Sequence, residues 1–337
     1  MRAMTLRAPG PAESEPLALA QVPVPEPGPG EVLLRVVVCG VCRTDLHVVE
    51  GDLPVHRPRI VPGHEVVAVV EQCGPGAERF SPGDLVGAAW LHRSCGQCAH
   101  CARGSENLCL SPLFTGWDRN GGYADYMTAP QDYVYALPRN VPPRDLAPLL
   151  CAGIIGYRAL VRSGVRPGEP LGLYGFGGSA HIVIQVARHW GCPVYVCTRG
   201  ERHRALAREL GAAWTGAATD TPPAALRGAI LFAPSGDLVP VALRALDRGG
   251  TLAIAGIWMT PIPQMDYLEC LFQERAVCSV TANTREDGRA LLRLAGEIPL
   301  RTTTVEYPLE QAGRALVDLK RDRINGAAVL RVSPDPP

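Results

Sequence analysis

A chain of 337 residues is long enough for two domains, and with 47% hydrophobic and 20% charged residues it has the make-up of a globular protein with a real core. Thirty-three basic residues cancel thirty-three acidic ones, which argues against electrostatic capture of nucleic acid or anionic lipid. No apolar run reaches the ~20 residues that cross a bilayer, and the start, Met1 to Gly10, lacks the apolar stretch of a secretory signal. The expectation is a cytoplasmic protein whose thiols stay free or metal-bound in a reducing compartment.

Taken in chain order, the first 150 residues are rich in Pro, Gly and short β-like runs. Val32 to Val38 and Val66 to Glu71 read as strands, bounded by turns such as Gly28-Pro29-Gly30 and Gly74-Pro75-Gly76. The pattern turns helical from Asp145, with Leu146, Leu149 and Leu150, and then alternates. Leu171 to Tyr174 predicts a buried strand, Ala180 to Trp190 a helix, Pro193 to Cys197 a strand, and Arg202 to Leu210 a helix stopped by Gly211. Ala229 to Phe232 and Leu252 to Ala255 continue as strands. Such alternation specifies an α/β fold with a parallel sheet covered by helices on both faces. A helix from Glu286, another over Gln311 to Arg321 and a strand over Ala327 to Val332 follow, and the tail from Pro334 to Pro337 reads as frayed.

Twelve cysteines are a high count, and four of them fall in one loop. Cys95, Cys98, Cys101 and Cys109 follow the spacing x2, x2, x7. Two-residue gaps let successive thiolates turn onto one cation, and four thiolates complete tetrahedral zinc with no place left for water, so the site is structural. A four-thiolate module can also support a nucleic-acid finger. The neutral charge, with only Arg93 and Arg103 nearby, counts against that.

A second metal site is suggested by local context alone. Cys42 lies in Cys39-Gly40-Val41-Cys42-Arg43-Thr44-Asp45 after a strand, His64 in the turn Pro62-Gly63-His64-Glu65, and Cys151 at a helix boundary before Ala152-Gly153. Two thiolates and an imidazole leave one coordination position open, as a catalytic zinc requires. Each residue also has a plainer reading, as a small core cysteine or a turn histidine.

Gly175-Phe176-Gly177-Gly178-Ser179-Ala180 joins a predicted strand to a predicted helix. In that setting the glycines permit a tight turn and close approach of backbone to a pyrophosphate, and the helix N-terminus faces the anion. At the tip of the next strand stands Cys197-Thr198-Arg199-Gly200, with no carboxylate to bind a ribose 2′-hydroxyl. Thr198 and Arg199 suit a 2′-phosphate. The reading therefore favours NADP(H), while Glu201 keeps NAD(H) open.

Together these residues resemble the zinc-containing alcohol dehydrogenases of the medium-chain dehydrogenase/reductase superfamily. The resemblance runs along nearly the whole chain, through Gly40 to His47, the Gly63-His64-Glu65 turn, the four-cysteine lobe, Leu149 to Gly153 and the glycine turn. It implies a GroES-like, mainly β catalytic domain over residues 1–151 with a structural-zinc lobe. A Rossmann domain, doubly wound around a parallel sheet, is implied over 152–284, and a return to the catalytic domain over 285–337. It implies that Cys42, His64 and Cys151 hold a catalytic zinc, with Glu65 beside it and Asp45 orienting the histidine. Thr44 would meet the alcohol oxygen, His47 would end a proton relay, and Arg43 would meet the cofactor pyrophosphate. Trp90 and Trp117 fall where the family places substrate-pocket side chains, although ordinary loop packing explains them equally. Two departures stand out: Ala180 replaces a common glycine, and Ile154-Ile155-Gly156 stands where many members have a threonine near the nicotinamide.

The function implied is hydride transfer between a small alcohol or aldehyde and NADP(H) or NAD(H), with two zinc ions per chain and no nucleic-acid or membrane partner. A homodimer or homotetramer is implied, in which Leu252 to Ile257 and Val277 to Val280 pair across subunits. The competing readings are a zinc-independent quinone or enone reductase of the same fold and a non-catalytic protein that binds zinc and nucleotide.

Overall fold

In the computed structural model, which describes residues 1–335, the chain divides into two units: Met1–Cys151 with Ala282–Pro337, and Ala152–Thr281. Pro336 and Pro337 of the expected frayed tail lie outside the described residues. Asp335 is tied to Arg331 at 2.8 Å.

The first unit opens with the hairpin β1 (Arg2–Leu6) and β2 (Leu17–Gln21). β3 (Glu31–Val41), α1 (Arg43–Glu50), β4 (Glu65–Cys73), β5 (Leu85–Ala88) and β6 (Leu91–Arg93) follow, then a short helix α2 (Ala99–Ala102) and β7 (Leu113–Phe114). β8 (Tyr126–Pro130), β9 (Val134–Ala136) and α3 (Pro143–Leu146) complete its first part. β3 is the hub: it pairs antiparallel with β4, β8 and the late strand described below. The Val/Leu run predicted as a strand therefore extends to Val41, and almost every side chain on it is buried, because layers cover both faces. Each such Val or Leu removed from water contributes about 1.5–3 kcal/mol.

The second unit begins with α4 (Ala152–Arg162) and β10 (Leu171–Tyr174). There follow α5 (Gly178–His189), β11 (Val194–Cys197), α6 (Glu201–Glu209), β12 (Trp214–Gly216), β13 (Leu226–Leu231), α7 (Leu238–Arg244), β14 (Leu246–Ile254), α8 (Tyr267–Cys270) and β15 (Ala276–Ser279). All its strands are parallel, in the order β12-β11-β10-β13-β14-β15. The direction of winding reverses between β10 and β13, the switch point of a doubly wound nucleotide-binding sheet. β10 is wholly buried, as its uninterrupted apolar sequence requires. α4 packs on α5 where a Cβ at Gly156 would meet Val183 and Ser179. The Ile154-Ile155-Gly156 departure thus serves helix packing.

The chain returns to the first unit with α9 (Arg285–Glu297), β16 (Thr304–Pro308), α10 (Ala312–Lys320) and β17 (Ala327–Arg331). β17 pairs β3 antiparallel and β16 parallel. One expectation needs correction. Thr251 to Ile254 of β14 lie between β13 and β15, so Leu252 to Ile254 has no free edge to offer a second subunit. β15, with Val277, is the edge strand. Among the described residues, no helix is long and apolar enough to cross a membrane.

Candidate metal centres and nucleotide loop

β3 ends at Val41, and α1 starts two residues later, so Cys42 is the N-cap of α1. Its Sγ accepts the N–H of Thr44 at 3.3 Å, and its own N–H donates to Asp45 Oδ2 at 3.0 Å, a reciprocal capping box. Asp45 Oδ1 also accepts from Gly63 N at 3.1 Å and lies 2.9 Å from His64 Nδ1. A carboxylate on Nδ1 fixes the tautomer that leaves Nε2 with its lone pair. That nitrogen lies 3.3 Å from Cys42 Sγ, and Cys151 Sγ lies 4.0 Å from the same sulfur.

With Glu65 these residues form one cluster whose ligand atoms all lie within 4.8 Å of one another. A tetrahedral zinc with sulfur at ~2.3 Å would hold its sulfurs roughly 3.8 Å apart, and the spacing fits. The donors are soft thiolate and imidazole, as zinc prefers.

The hydrogen bond with Cys42, with burial adding to it, raises the Cys151 thiol well above its ordinary value. The Cys151 thiol's hydrogen bond holds Cys42 well below the ordinary thiol value, against burial and with help from His64. Burial opposes charge on His64, but Asp45 and Cys42 outweigh it and raise the imidazole. Burial, with the Cys42 charge added, pushes the Glu65 carboxyl well up.

The four-cysteine loop closes in the same way. Cys95, Cys98, Cys101 and Cys109 place their sulfurs within 4.8 Å of one another, with Cys95 to Cys101 at 3.9 Å and Cys98 to Cys101 at 3.5 Å. All twelve cysteines are free thiols rather than disulfides. Backbone N–H groups aim at the sulfurs: Cys98 N at Cys95 Sγ, and Cys95 N and Ser111 N at Cys109 Sγ. Backbone hydrogen bonds with Cys101 and Leu110 bring Cys98 down to about 6, while burial takes Cys109 up to about 11. This donor set is saturated by its own four sulfurs, so the chemistry available there is structural.

Other expected residues are distributed as follows. Thr44 starts α1 beside Cys42. His47 Nδ1 meets Asp52 at 2.7 Å on an exposed face. Arg43 is exposed and paired with Asp322 at 2.8 Å. Trp90 meets the edge of His64 with centroids 5.1 Å apart and stacks on Phe114 and Trp117. Trp117 donates from Nε1 to Pro54 O and is covered by His56, whose Nδ1 meets Asp118 at 2.7 Å. The aromatic wall thus includes Phe114 and His56, which sequence reasoning missed; no motif carries them, because they meet through a loop closure.

In the second unit Gly175 has φ +89°, and a Cβ there would strike Ala233. Gly177 is the N-cap of α5, no side chain caps it, and a Cβ there would meet nothing within 4 Å. Gly178, Ser179 and the fully buried Ala180 carry the first turn of α5. Free N–H groups below open space make a cradle for an anion. At the tip of β11, Thr198 is buried and Arg199 exposed. Arg204 donates to both their carbonyls, and with Arg208 it occupies the Glu201 carboxylate. Arg204 was missed, although its i, i+3 spacing from Glu201 was visible.

A doubly wound parallel sheet with a glycine turn, in a chain whose β-rich unit carries two sulfur-rich clusters that could hold metal ions, defines the two-unit dehydrogenase class. The family profile "Alcohol dehydrogenase GroES-like domain" matches residues 28–139, and "Zinc-binding dehydrogenase" matches 178–297. The chain is 56% identical to "Probable alcohol dehydrogenase AdhA" of Mycobacterium tuberculosis (strain CDC 1551 / Oshkosh), over 98% of this chain and 97% of that one. Among solved structures, that of AibC superposes with a TM-score of 0.90 at 29% identity, covering 99% and 96% of the two chains. A cobalt- and zinc-bound thermostable alcohol dehydrogenase from Pyrobaculum aerophilum superposes at 0.86 and 26%, covering 98% and 99%. The chain belongs to the zinc-type alcohol dehydrogenases of the medium-chain dehydrogenase/reductase superfamily and is an oxidoreductase acting on alcohols or their carbonyl partners.

Proposed function

We propose that the protein is a zinc-dependent dehydrogenase of uncharged, apolar alcohols and aldehydes, aromatic or medium-chain, with NADP(H) preferred over NAD(H). The observation that carries the reading is the convergence of Cys42, His64, Glu65 and Cys151 within 4.8 Å, with Asp45 behind the histidine.

Cys42, His64 and Cys151 would hold one zinc, and Cys95, Cys98, Cys101 and Cys109 a second, structural one. The catalytic zinc would supply Lewis acidity that lowers the pKa of an alcohol hydroxyl, and the nicotinamide the hydride acceptor. Thr44 would accept the hydroxyl proton as it gives up its own, and His47, on the exposed face of α1 with Asp52 behind its ring, would be the outer group that releases a proton to water. Glu65, which burial keeps disposed to protonation, stands ready as an exchanging ligand. Asp45 holds His64 in place throughout. The stacked Trp90, Phe114 and Trp117 favour an apolar substrate over a charged one.

The turn from Gly175 through Gly177, Gly178 and Ser179 to Ala180 would bind the cofactor pyrophosphate. Thr198 and Arg199 favour a 2′-phosphate, and the neutralisation of Glu201 by Arg204 and Arg208 removes the nearest carboxylate that would repel one. A second copy of the chain is expected along β15, where Val277 on the edge strand, Leu268 on α8 and Trp258 are 38%, 67% and 66% exposed.

The test joins metal analysis to turnover on one preparation. Two zinc ions per chain, with alcohol- or aldehyde-dependent change in reduced-nicotinamide absorbance and NADP(H) the better cofactor, is the expected result. Turnover by a Cys42→Ser protein that has lost one zinc would return the assignment to a zinc-independent reductase. Cofactor binding with no turnover across a panel of alcohols and aldehydes would return it to a non-catalytic binder.

A further inference from the structure

The first unit contains a cavity of about 720 Å3 that shares no lining residue with either cysteine cluster. Its wall carries Arg7, Arg57, Arg59 and Arg119, and no aspartate or glutamate at all. In a chain whose charges cancel overall, four exposed arginines lining one cavity without an acid are a local excess of positive charge.

None of the four has a carboxylate partner among the described residues; the guanidinium of Arg119 donates to the backbone carbonyl of Asp118. Acids close to them in sequence are committed elsewhere, Asp52 among them, which meets His47 at 2.7 Å. Asp118 is held by His56 at 2.7 Å, and Asp125 by Arg2 at 2.8 Å. Neutral donors stand with the arginines. Asn120 gives its carbonyl oxygen to Val61 N, which leaves its amide N–H groups for a ligand, and Tyr126 adds a phenol to the wall. Arg59 is held at φ +53°, a conformation that L residues rarely adopt. Such backbone persists where surroundings over-determine it, and it collects at ligand sites.

We infer that this cavity is a binding site for a small polyanion bearing two or more phosphate groups. Planar guanidinium forks match phosphate oxygens two at a time, and four of them neutralise a charge that one or two would not. A concave wall concentrates the field of the four charges on the cavity. The volume exceeds what a single inorganic phosphate needs and suits a phosphorylated small molecule. The ligand would join Arg7, the residue that follows β1, to the loop of Arg57 and Arg59 and to the segment of Arg119. His56, beside Arg57, stacks on Trp117, so occupancy here would steady the aromatic wall of the first unit. The inference is independent of the zinc and cofactor assignments.

The test is calorimetric titration of the full metal-loaded chain with inorganic triphosphate, saturated with NADP(H), in buffer matched in ionic strength with sodium chloride. Saturable binding of one triphosphate per chain is expected. The pair Arg57→Ser with Arg119→Ser should weaken it at least tenfold, and so should the separate pair Arg7→Ser with Arg59→Ser, each with an unchanged thermal melt and assembly state. Equal affinity in the wild type and both pairs would overturn the site, as would heat that vanishes in matched salt or when NADP(H) is present. A variant pair that changes the size of the particle would also overturn it, by showing that the basic face is covered by a second copy.

Discussion

Asp45→Asn isolates the contribution of one buried carboxylate to the metal cluster. Asp45 is 2% exposed and accepts three hydrogen bonds, from His64 Nδ1 at 2.9 Å, Gly63 N at 3.1 Å and Cys42 N at 3.0 Å. Asparagine keeps the volume but offers one acceptor oxygen. If its amide N–H groups face His64 and Gly63, two donors lose their acceptor; if they face Cys42, the cap of α1 fails and the charge behind the imidazole still disappears. A stranded buried donor costs about 1–3 kcal/mol, and loss of the carboxylate behind a histidine ligand lowers metal affinity roughly 10–100-fold. The variant should therefore lose zinc to a chromophoric chelator at tenfold lower chelator concentration for one of its two ions, with the other retained. It should also melt several degrees lower when metal-free. Zinc affinity within about twofold of the wild type, in a protein that folds, would refute the claim that Asp45 positions His64 for metal.

Three further outcomes follow from named contacts. Arg199→Ala should raise KM for NADPH by about tenfold or more, the value of one charge-assisted contact, and leave NADH within about twofold; equal effects on both would remove Arg199 from the 2′-phosphate site. Glu106 accepts from Arg285 N and Nε at 2.9 and 3.0 Å. Despite burial these bonds hold its carboxyl below the ordinary value. Its contribution is therefore present above the unfolded pKa of about 4.3 and fades as pH falls through the lower folded value. Glu106→Gln should lower stability by about 1–2 kcal/mol at neutral pH, and its melts should converge with the wild type in acid. Burial, with Arg119 and Arg93 adding to it, pushes His92 from 6.5 down to about 4. The folded state then binds fewer protons than the unfolded one, so stability is full above about 6.5 and falls by up to about 3 kcal/mol as pH drops to 4. His92→Gln should flatten that part of the pH–stability curve, and parallel curves for the two proteins would show that another group is responsible.

The elements most legible in the sequence were those with an unmixed signal. β10 reads as Leu-Gly-Leu-Tyr because helices bury both its faces, and the turn into α5 opens at Gly175 because its φ of +89° and its contact with Ala233 leave no room for a side chain. The four-thiolate loop was legible because all its ligands lie within fifteen residues. β3 was visible only in part, since Gly40 and Val41 after Cys39 look like a turn until β17 pairs with them. Leu252 to Ile254 was misread as an edge for a related reason: it and Val277 both lie in apolar runs, and only sheet order tells an interior strand from an edge. The His56 and Phe114 contacts with Trp117, the clamping of Glu201 by Arg204 and Arg208, and the four-arginine wall are tertiary. They come from residues far apart or from charge balance within a concave surface, which periodicity does not encode.

The segment from Cys42 to His47 shows why the Cys42, His64 and Cys151 cluster could be read locally although its members are scattered. A helix N-terminus needs a side-chain acceptor for its first N–H groups, and an acid at the third helical position to answer the N-cap N–H. Cys42 and Asp45 meet both needs in α1. The same N–H bonds lower the cost of charge on the Cys42 sulfur, and the same Asp45 carboxylate reaches across to the imidazole of His64. One turn of helix thus prepares a thiolate and orients a histidine with groups it would have to place for its own stability. Substituting serine for Cys42 should therefore separate the two roles. Its oxygen can still accept the Thr44 N–H, so α1 should keep its start and the metal-free melt should stay within about 1 kcal/mol of the wild type. Zinc binding should fall far more, because a neutral hydroxyl is a poor ligand beside a thiolate. A metal-free protein destabilised as strongly as it is stripped of zinc would show that the cap and the ligand cannot be separated.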